Sequence, residues 1–332
     1  MLEQKILQGL KNKKNLLAFS GGVDSTALFF MLQDSSVKFD IAIVNYGLRE
    51  QSKDEVLYAL KLCKKYNMTC HLHNAKDITK NFEANARKIR YDFFETIIKK
   101  ENYDNLLTAH HLGDRFEWML MQFCKGAGCA ELAGMETFET RDVYTLVRPL
   151  LNFDKNELLS YLKNNRITYF QDETNLDKSI KRNHFRHNHT NPLLKEHLSG
   201  IKRSFRYIDE DKQNLINEKN IHTIDKFSYF KNADSRSNIY TIDKHLKSLG
   251  HIISSNEREL LKNEKTVVLG RKYLVVQDTK LVYIAPYIND KIQIPKEYKE
   301  LFRSLKIEPK LRAFFYKNIE VFKKIRKLLL SP

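Results

Sequence analysis

The six residues Ser20-Gly21-Gly22-Val23-Asp24-Ser25 restrict this chain more than any other stretch. A short apolar run, Leu16-Leu17-Ala18-Phe19, precedes them, and Thr26-Ala27-Leu28-Phe29-Phe30-Met31-Leu32 follows. The first run reads as a buried strand and the second as the start of a buried helix. The hexapeptide therefore sits where a parallel strand turns into its crossover helix. Gly21 and Gly22 let the backbone bend and approach a ligand closely. The amides behind them face outward at the positive end of a helix dipole, which favours phosphate. Ser20 and Ser25 add hydroxyl donors, and Asp24 suits either a metal ion or a helix cap. A Gly-Gly turn of this kind also serves as a plain structural turn. The run lacks Gly-Lys-Ser/Thr and G-x-G-x-x-G, which excludes a Walker A loop and a dinucleotide fingerprint.

Strand-like and helix-like segments alternate through the first half. Phe39 to Tyr46, Met68 to His73 and Asn105 to His110 read as strands, and Ser52 to Tyr66 and Phe82 to Lys100 as helices. That order predicts an α/β fold, a doubly wound parallel sheet whose ligands bind at the carboxyl ends of the strands. The Ser20 loop, the turn from Asn45 to Arg49 and the stretch from His110 to Asp114 then share one crevice. In Thr108-Ala109-His110-His111-Leu112-Gly113-Asp114-Arg115-Phe116-Glu117 a strand ends in two histidines and a helix begins near Asp114. His110, His111 and Asp114 can all face the crevice. The same residues are compatible with a histidine pair capping the sheet and Asp114 as an N-cap, and no third soft ligand lies nearby to favour a metal held by both histidines.

The second half reads differently. Phe153 to Asn165 and Asn183 to Leu198 are helical in pattern, and the charged segment from Gly200 to Lys219 reads as a connecting helix. Helices over Ile242 to Leu249 and Ser254 to Asn263 precede three short antiparallel strands, Thr266 to Leu269, Tyr273 to Val276 and Leu281 to Ala285. The expected organisation is a catalytic domain over 1–199, a helical connector over 200–225 and a small α+β module over 226–332. The segment from Pro295 onward is rich in lysine and arginine, interleaved with Tyr298, Phe302, Phe314, Phe315, Tyr316 and Phe322. Such a tail suits an RNA backbone and splayed bases, or equally a packed helix with a solvated lysine face.

The chain has 57 basic and 41 acidic residues, a formal charge of +16. An excess of that size attracts polyanions, nucleic acid first among them, although a lysine-rich genome bias has the same effect. Cys63, Cys70, Cys124 and Cys129 form no Cys-x-x-Cys and no disulfide framework, as expected of a reducing compartment. Met1 to Lys14 has no signal-peptide pattern, and no apolar run approaches the roughly 20 residues that span a bilayer, so a cytoplasmic protein without membrane association is expected. The sequence leaves the oligomeric state open.

The hexapeptide resembles the PP-loop of the N-type ATP pyrophosphatases, which split ATP between the α and β phosphates and place AMP on an oxygen of a second substrate. Further matches narrow the resemblance to the tRNA(Ile)-lysidine synthases. The stretch from His110 to Glu117 is similar to their His-His-Leu-x-Asp-x-x-Glu signature, followed by Gly126-Ala127-Gly128 and Leu132-Ala133-Gly134-Met135. Asn45-Tyr46-Gly47-Leu48-Arg49, Ala86-Arg87 with Arg90-Tyr91, Arg148-Pro149-Leu150-Leu151, Asp172-Glu173-Thr174-Asn175 and Arg182-Asn183-His184-Phe185-Arg186-His187 follow in the family's order. The resemblance covers about residues 15 to 195. Tyr46, Arg115 and Trp118 depart from it, standing where the family usually has His, Gln and Thr, and Asn45 and Gly113 often stand as Asp.

The resemblance implies that ATP adenylates the C2 oxygen of the wobble cytidine in the CAU anticodon of tRNA(Ile), and that the side-chain amine of free L-lysine displaces AMP. Ser20, Gly21, Gly22, Val23, Asp24 and Ser25 would hold ATP, with Mg²⁺ near Asp24. His110, Asp114 and Asp24 would form the catalytic edge, and Arg87, Arg90, Arg148, Arg182 and Arg186 would contact tRNA or the adenylate. Other readings are a different PP-loop ligase or tRNA thiolase, or a non-catalytic RNA-binding protein. The first lacks a recognisable ammonia-supplying module or the cysteine spacing a thiolase uses. The last would leave Asp24, Asp114 and Glu117 as idle acids in a site for a polyanion.

Overall fold

The structure, a computed structural model, describes residues 1–47, 51–75, 78, 82–171, 181–290 and 292–329. It divides into two compact units, Met1–Asp209 and Glu210–Pro332. In the first, β1 (Asn15–Ala18), β2 (Phe39–Asn45), β3 (Cys70–Asn74), β4 (Asn105–Leu107), β5 (Phe138–Thr140) and β6 (Thr145–Val147) form one sheet in the order β3-β2-β1-β4-β6-β5. All neighbours are parallel except β5 and β6. The sheet is the doubly wound one expected, and β5 and β6 extend it beyond the strands read from the sequence. Both are three residues long, too short for alternation to stand out.

Both faces of this sheet are covered, and the period of two along each strand divides its side chains between them. Leu17, Ile41, Ile43, Leu107 and Val147 join one core, together with Leu28 and Phe29 of α2 (Val23–Asp34), Leu62 of α3 (Gln51–Tyr66), Ile6 and Leu10 of α1 (Gln4–Leu10), and Leu158 of α7 (Lys155–Asn164). Leu16, Ala42, Leu106 and Leu146 join the other, against Phe94, Ile97 and Ile98 of α4 (Phe82–Glu101). Two buried amides tie β1 to β4. Asn105 Nδ2 donates to Asn15 Oδ1, while Asn15 Nδ2 donates to the carbonyls of Leu10, Lys13 and Lys38.

After β4 come α5 (Leu112–Phe123) and the short α6 (Cys129–Leu132). Beyond α7 lie α8 (Lys181–Phe185), a π-helical turn (Arg186–Thr190) and α9 (Asn191–Leu215). The expected helix from Asn183 to Leu198 thus runs on into the expected connector as far as Leu215, with non-helical dihedrals at His197, and β7 (His222–Ile224) stands where the connector was expected to end. A small core of Leu112, Phe116, Leu194 and Phe205 joins α5 to α9.

The second unit is built on a five-stranded antiparallel sheet, ordered β7 (His222–Ile224), β8 (Phe227–Lys231), β11 (Leu281–Pro286), β10 (Tyr273–Gln277), β9 (Thr266–Leu269). Its alternation again builds two cores. Val282, Ile284 and Val275 face α10 (Ser235–Ser248) and α11 (Ser255–Asn263). Tyr283, Ala285, Leu274 and Val276 face α12 (Lys296–Ser304), α13 (Pro309–Lys317) and α14 (Ile319–Leu329). Of the two readings of the tail, its aromatic residues fit the packed helix with a solvated lysine face. Phe302, Phe314, Phe315 and Phe322 are buried in that second core, because they recur at helical spacing on the apolar faces. Lys296, Lys299, Arg303, Lys323, Lys324 and Arg326 remain exposed on the opposite faces. No helix among the described residues is long and apolar enough to cross a membrane.

Candidate active site

The hexapeptide occupies the turn from β1 into α2. Gly21 has φ of +76°, and its carbonyl accepts from Phe170 N at 2.9 Å and Thr26 Oγ1 at 3.0 Å. Ser25 Oγ donates to Gly22 O at 3.2 Å and lies 3.1 Å from Ser20 Oγ, so the two hydroxyls close the loop on itself. Gly22 is the N-cap of α2, and no side-chain hydrogen bond caps that end. The first amides of α2 thus lack the side-chain partner that a helix start usually has. Asp24 stands in this first turn. Its Oδ1 accepts from Lys155 Nζ at 2.6 Å, and its Oδ2 is 4.0 Å from His111 Nε2.

His111 is the N-cap of α5, in a capping box with Asp114. Its Nδ1 accepts from Gly113 N at 2.9 Å, and Asp114 Oδ2 accepts from His111 N at 3.1 Å. With Nδ1 accepting, Nε2 is the ring's donor atom. That atom lies 3.7 Å from Asp114 Oδ2 as well as 4.0 Å from Asp24. The imidazole therefore stands between the acid of the β1 loop and the acid of the β4 loop. His110 points elsewhere, with Nδ1 3.0 Å from Thr108 Oγ1. Its pKa is depressed to about 4, chiefly by burial, with Arg148, Arg87 and Arg182 adding to the effect and Asp114 opposing it.

Asp114 and Glu117, a turn apart on α5, receive two arginines. Arg186 donates through Nη2 to Asp114 at 2.9 Å and through Nε to Glu117 at 2.8 Å. Arg182 donates to Asp114 at 3.3 Å and also, through Nε, to Glu117. Burial alone would raise the Asp114 pKa, but His111, His110, Arg186 and Arg182 hold its carboxyl well below the ordinary range. Glu117 is 1% exposed, and removing one partner from so buried an ion pair is costly. The π-helical turn starts at Arg186, and π segments often re-aim side chains at functional sites.

The remaining expected contacts are dispersed. Arg87 and Arg90 are exposed on α4, Arg87 lying 4.7 Å over the Tyr91 ring. Arg148 is buried, donating to Glu136 O at 2.9 Å and to Glu139 at 2.7 Å. Leu48, Arg49 and Asp172-Glu173-Thr174-Asn175 lie outside the described residues. Sequence reasoning passed over Lys155. A signal was present, since Asp154 and Glu157 form the capping box that starts α7, and Lys155 is its first residue. A cation at a helix N-terminus is disfavoured by the dipole unless an acid elsewhere receives it.

The PP-loop domain family matches residues 2–193. Over 314 residues the chain is 40% identical to the tRNA(Ile)-lysidine synthase of Helicobacter pylori, covering 93% of this chain and 91% of that one. Over 316 residues it is 42% identical to the same enzyme of Wolinella succinogenes, covering 95% of each. This chain belongs to the tRNA(Ile)-lysidine synthase family. Among solved structures, a U34-tRNA thiolase from Methanococcus maripaludis superposes with a TM-score of 0.53 at 20% identity, covering 66% of this chain and 78% of that one. At that identity the likeness is one of fold.

Within the lysidine synthase family the departures of this chain have local explanations. Arg115 is 3% exposed, donates to Ala133 O and to Asp209, and lies 4.3 Å over the Phe205 ring. It packs the site from behind. Tyr46 donates its hydroxyl to Ala86 O at 2.9 Å and meets the Phe82 ring edge-on. Cys63 Sγ donates to Thr69 O at 3.7 Å, and Cys63 and Cys70 act on one another, the Cys63 pKa being pushed up and the Cys70 pKa down.

Proposed function

We infer that this chain joins free lysine to C2 of the wobble cytidine in the CAU anticodon of tRNA(Ile), through a cytidine adenylated on its C2 oxygen. Membership in the lysidine synthase family supports the reaction. The observation that carries the site is His111 Nε2 lying 4.0 Å from Asp24 and 3.7 Å from Asp114, so the nucleotide loop and the acid-bearing helix form one centre. ATP meets the loop from Ser20 to Ser25, whose hydroxyls and helix amides suit phosphate oxygens. Lys155, already on Asp24, supplies a cation beside the same phosphates.

Among the described residues no three His, Cys, Asp or Glu side chains form a metal site. A lone carboxylate at Asp24 still fits Mg²⁺, which usually takes one or two carboxylates and completes its shell with phosphates and water. When bound there, the ion offsets the charge of the leaving pyrophosphate. His110, with a pKa of about 4, is uncharged at neutral pH and a weak base. It suits a hydrogen bond to the uncharged cytosine better than uptake of the amine's proton. Asp114 stays ionised, and with Glu117 it orients Arg182 and Arg186, whose planar forks suit the adenylate phosphate or the RNA backbone. Arg87 and Arg90, exposed on α4, suit tRNA phosphates. Arg148, held on Glu139, acts by position.

In this reading residues 1–199 are catalytic, 200–225 connect, and the basic module over 226–332 holds tRNA. The work is cytoplasmic, where tRNA is decoded. Incubation with ATP, Mg²⁺, labelled lysine and a tRNA(Ile) transcript tests it. Label should enter the RNA in an alkali-stable linkage with release of AMP and pyrophosphate. RNA that stays unlabelled while ATP is intact would overturn the reading.

A further inference from the structure

Trp118 is the chain's single tryptophan, and nothing in the reaction described above uses it. It follows Asp114 by four residues on α5, so the two side chains stand on one face of the helix, a turn apart. The same face thus carries the acid that receives Arg182 and Arg186 and, next to it, a large aromatic ring. The tryptophan is 41% exposed, although so large an apolar side chain is ordinarily well covered.

The ring is nonetheless seated. A Cβ placed on Gly134 would stand 2.9 Å from Trp118 Cδ1 and 3.5 Å from Nε1. Gly134 also has φ of +65°, in the left-handed region that favours glycine. The backbone of residue 134 therefore approaches the five-membered edge of the indole as only glycine allows. One edge of the ring is fixed on the protein, and the residue keeps two fifths of its surface open beside the charged cluster.

We propose that Trp118 is a stacking platform for a nucleobase of the RNA substrate, flanking the reacting cytidine. The proposal rests on the reading that this site works on tRNA. A base fits the observations better than a protein partner does. A protein covering Trp118 would also have to cover the carboxylate of Asp114, and protein interfaces are depleted of aspartate and glutamate. A base stacked on the indole instead leaves the guanidiniums in reach of the phosphates on either side of it. Stacking tolerates any base, so Trp118 contributes affinity and placement, while recognition of the anticodon falls to other groups.

The test uses the full chain and an anticodon stem–loop RNA of tRNA(Ile). Because one tryptophan supplies all the indole fluorescence, its quenching on titration with RNA reports the stack directly. Binding of the same RNA, end-labelled, is read by anisotropy for the wild type, Trp118→Phe and Trp118→Ala, with ATP affinity as the check on folding. Trp118→Ala should weaken RNA binding about 5- to 100-fold, Trp118→Phe should keep most of it, and ATP affinity should not move. Unchanged fluorescence at saturating RNA, or wild-type affinity in Trp118→Ala, would overturn the proposal. So would fluorescence that follows protein concentration instead of RNA, which would mark a contact between copies. These readouts need no turnover, so a wild-type chain that binds RNA but forms no lysidine would overturn the functional reading while anisotropy still decides the stack.

Discussion

Single side chains carry most of the electrostatics of this centre, and His110 ties stability to pH below neutrality. Its pKa falls from 6.5 in an open chain to about 4 in the fold. The unfolded chain therefore binds the extra proton first, and stability falls as pH drops from about 6.5 towards 4. Urea midpoints across that window should decline, and His110→Gln should flatten the decline by up to about 3 kcal/mol at its acid end. A slope unchanged in the variant would assign the acid sensitivity elsewhere. Glu117, 1% exposed, is gripped by two arginines. Glu117→Gln should cost about 2 to 3 kcal/mol, seen as a melting temperature lower by roughly 5 to 10 °C in calorimetry. Lys155, on Asp24 at 2.6 Å and with its side chain 41% exposed, contributes little to folding. Its replacement by Met should leave the melting temperature unmoved and weaken ATP binding by about tenfold, measured by equilibrium dialysis.

At the scale of elements, α5 does two jobs from its two sides. One presents Asp114, Glu117 and Trp118. The other packs on α9 through Phe116, Leu194 and Phe205. Arg115 stitches that second side, linking α5 to Ala133 and Asp209. Arg115→Gln, the residue the family usually has there, should destabilise the first unit by about 2 kcal/mol, since it leaves the buried carbonyl of Ala133 without its donor. A chemical denaturation curve matching the wild type would show that another contact takes over. Much of this level was legible beforehand. The strands β1, β2 and β4 and the helices α2, α3 and α4 announced themselves by apolar runs and helical spacing, and the glycines of the hexapeptide marked the turn between β1 and α2. The strands β5 to β8 were not legible, because, unlike the equally short β4, none of them is a lone apolar run between two long helical segments.

Across the molecule, charge and core share the same segments. The helices from α12 to α14 supply Phe302, Phe314, Phe315 and Phe322 to one face of the second sheet, and their lysines and arginines to solvent. Deleting residues from Pro295 onward should therefore unfold the second unit and lose its near-ultraviolet circular dichroism. Replacing Lys296, Lys299, Lys323 and Lys324 by Glu should keep the fold, weaken tRNA binding and flatten its dependence on salt. An unaltered salt slope would remove those lysines from the RNA contact. The sequence alone determined the doubly wound sheet and the glycine turn between β1 and α2, because these rest on local pattern and on residue types at fixed spacing, and its motifs carried the resemblance to the family. Only the tertiary structure decided that His111 bridges the two acids, that Lys155 reaches Asp24 from α7, that Arg182 and Arg186 close on Asp114 and Glu117, and that the tail's aromatic rings are core. Those pairings join residues tens to more than a hundred positions apart, and periodicity along a chain carries no information about which distant side chains will meet.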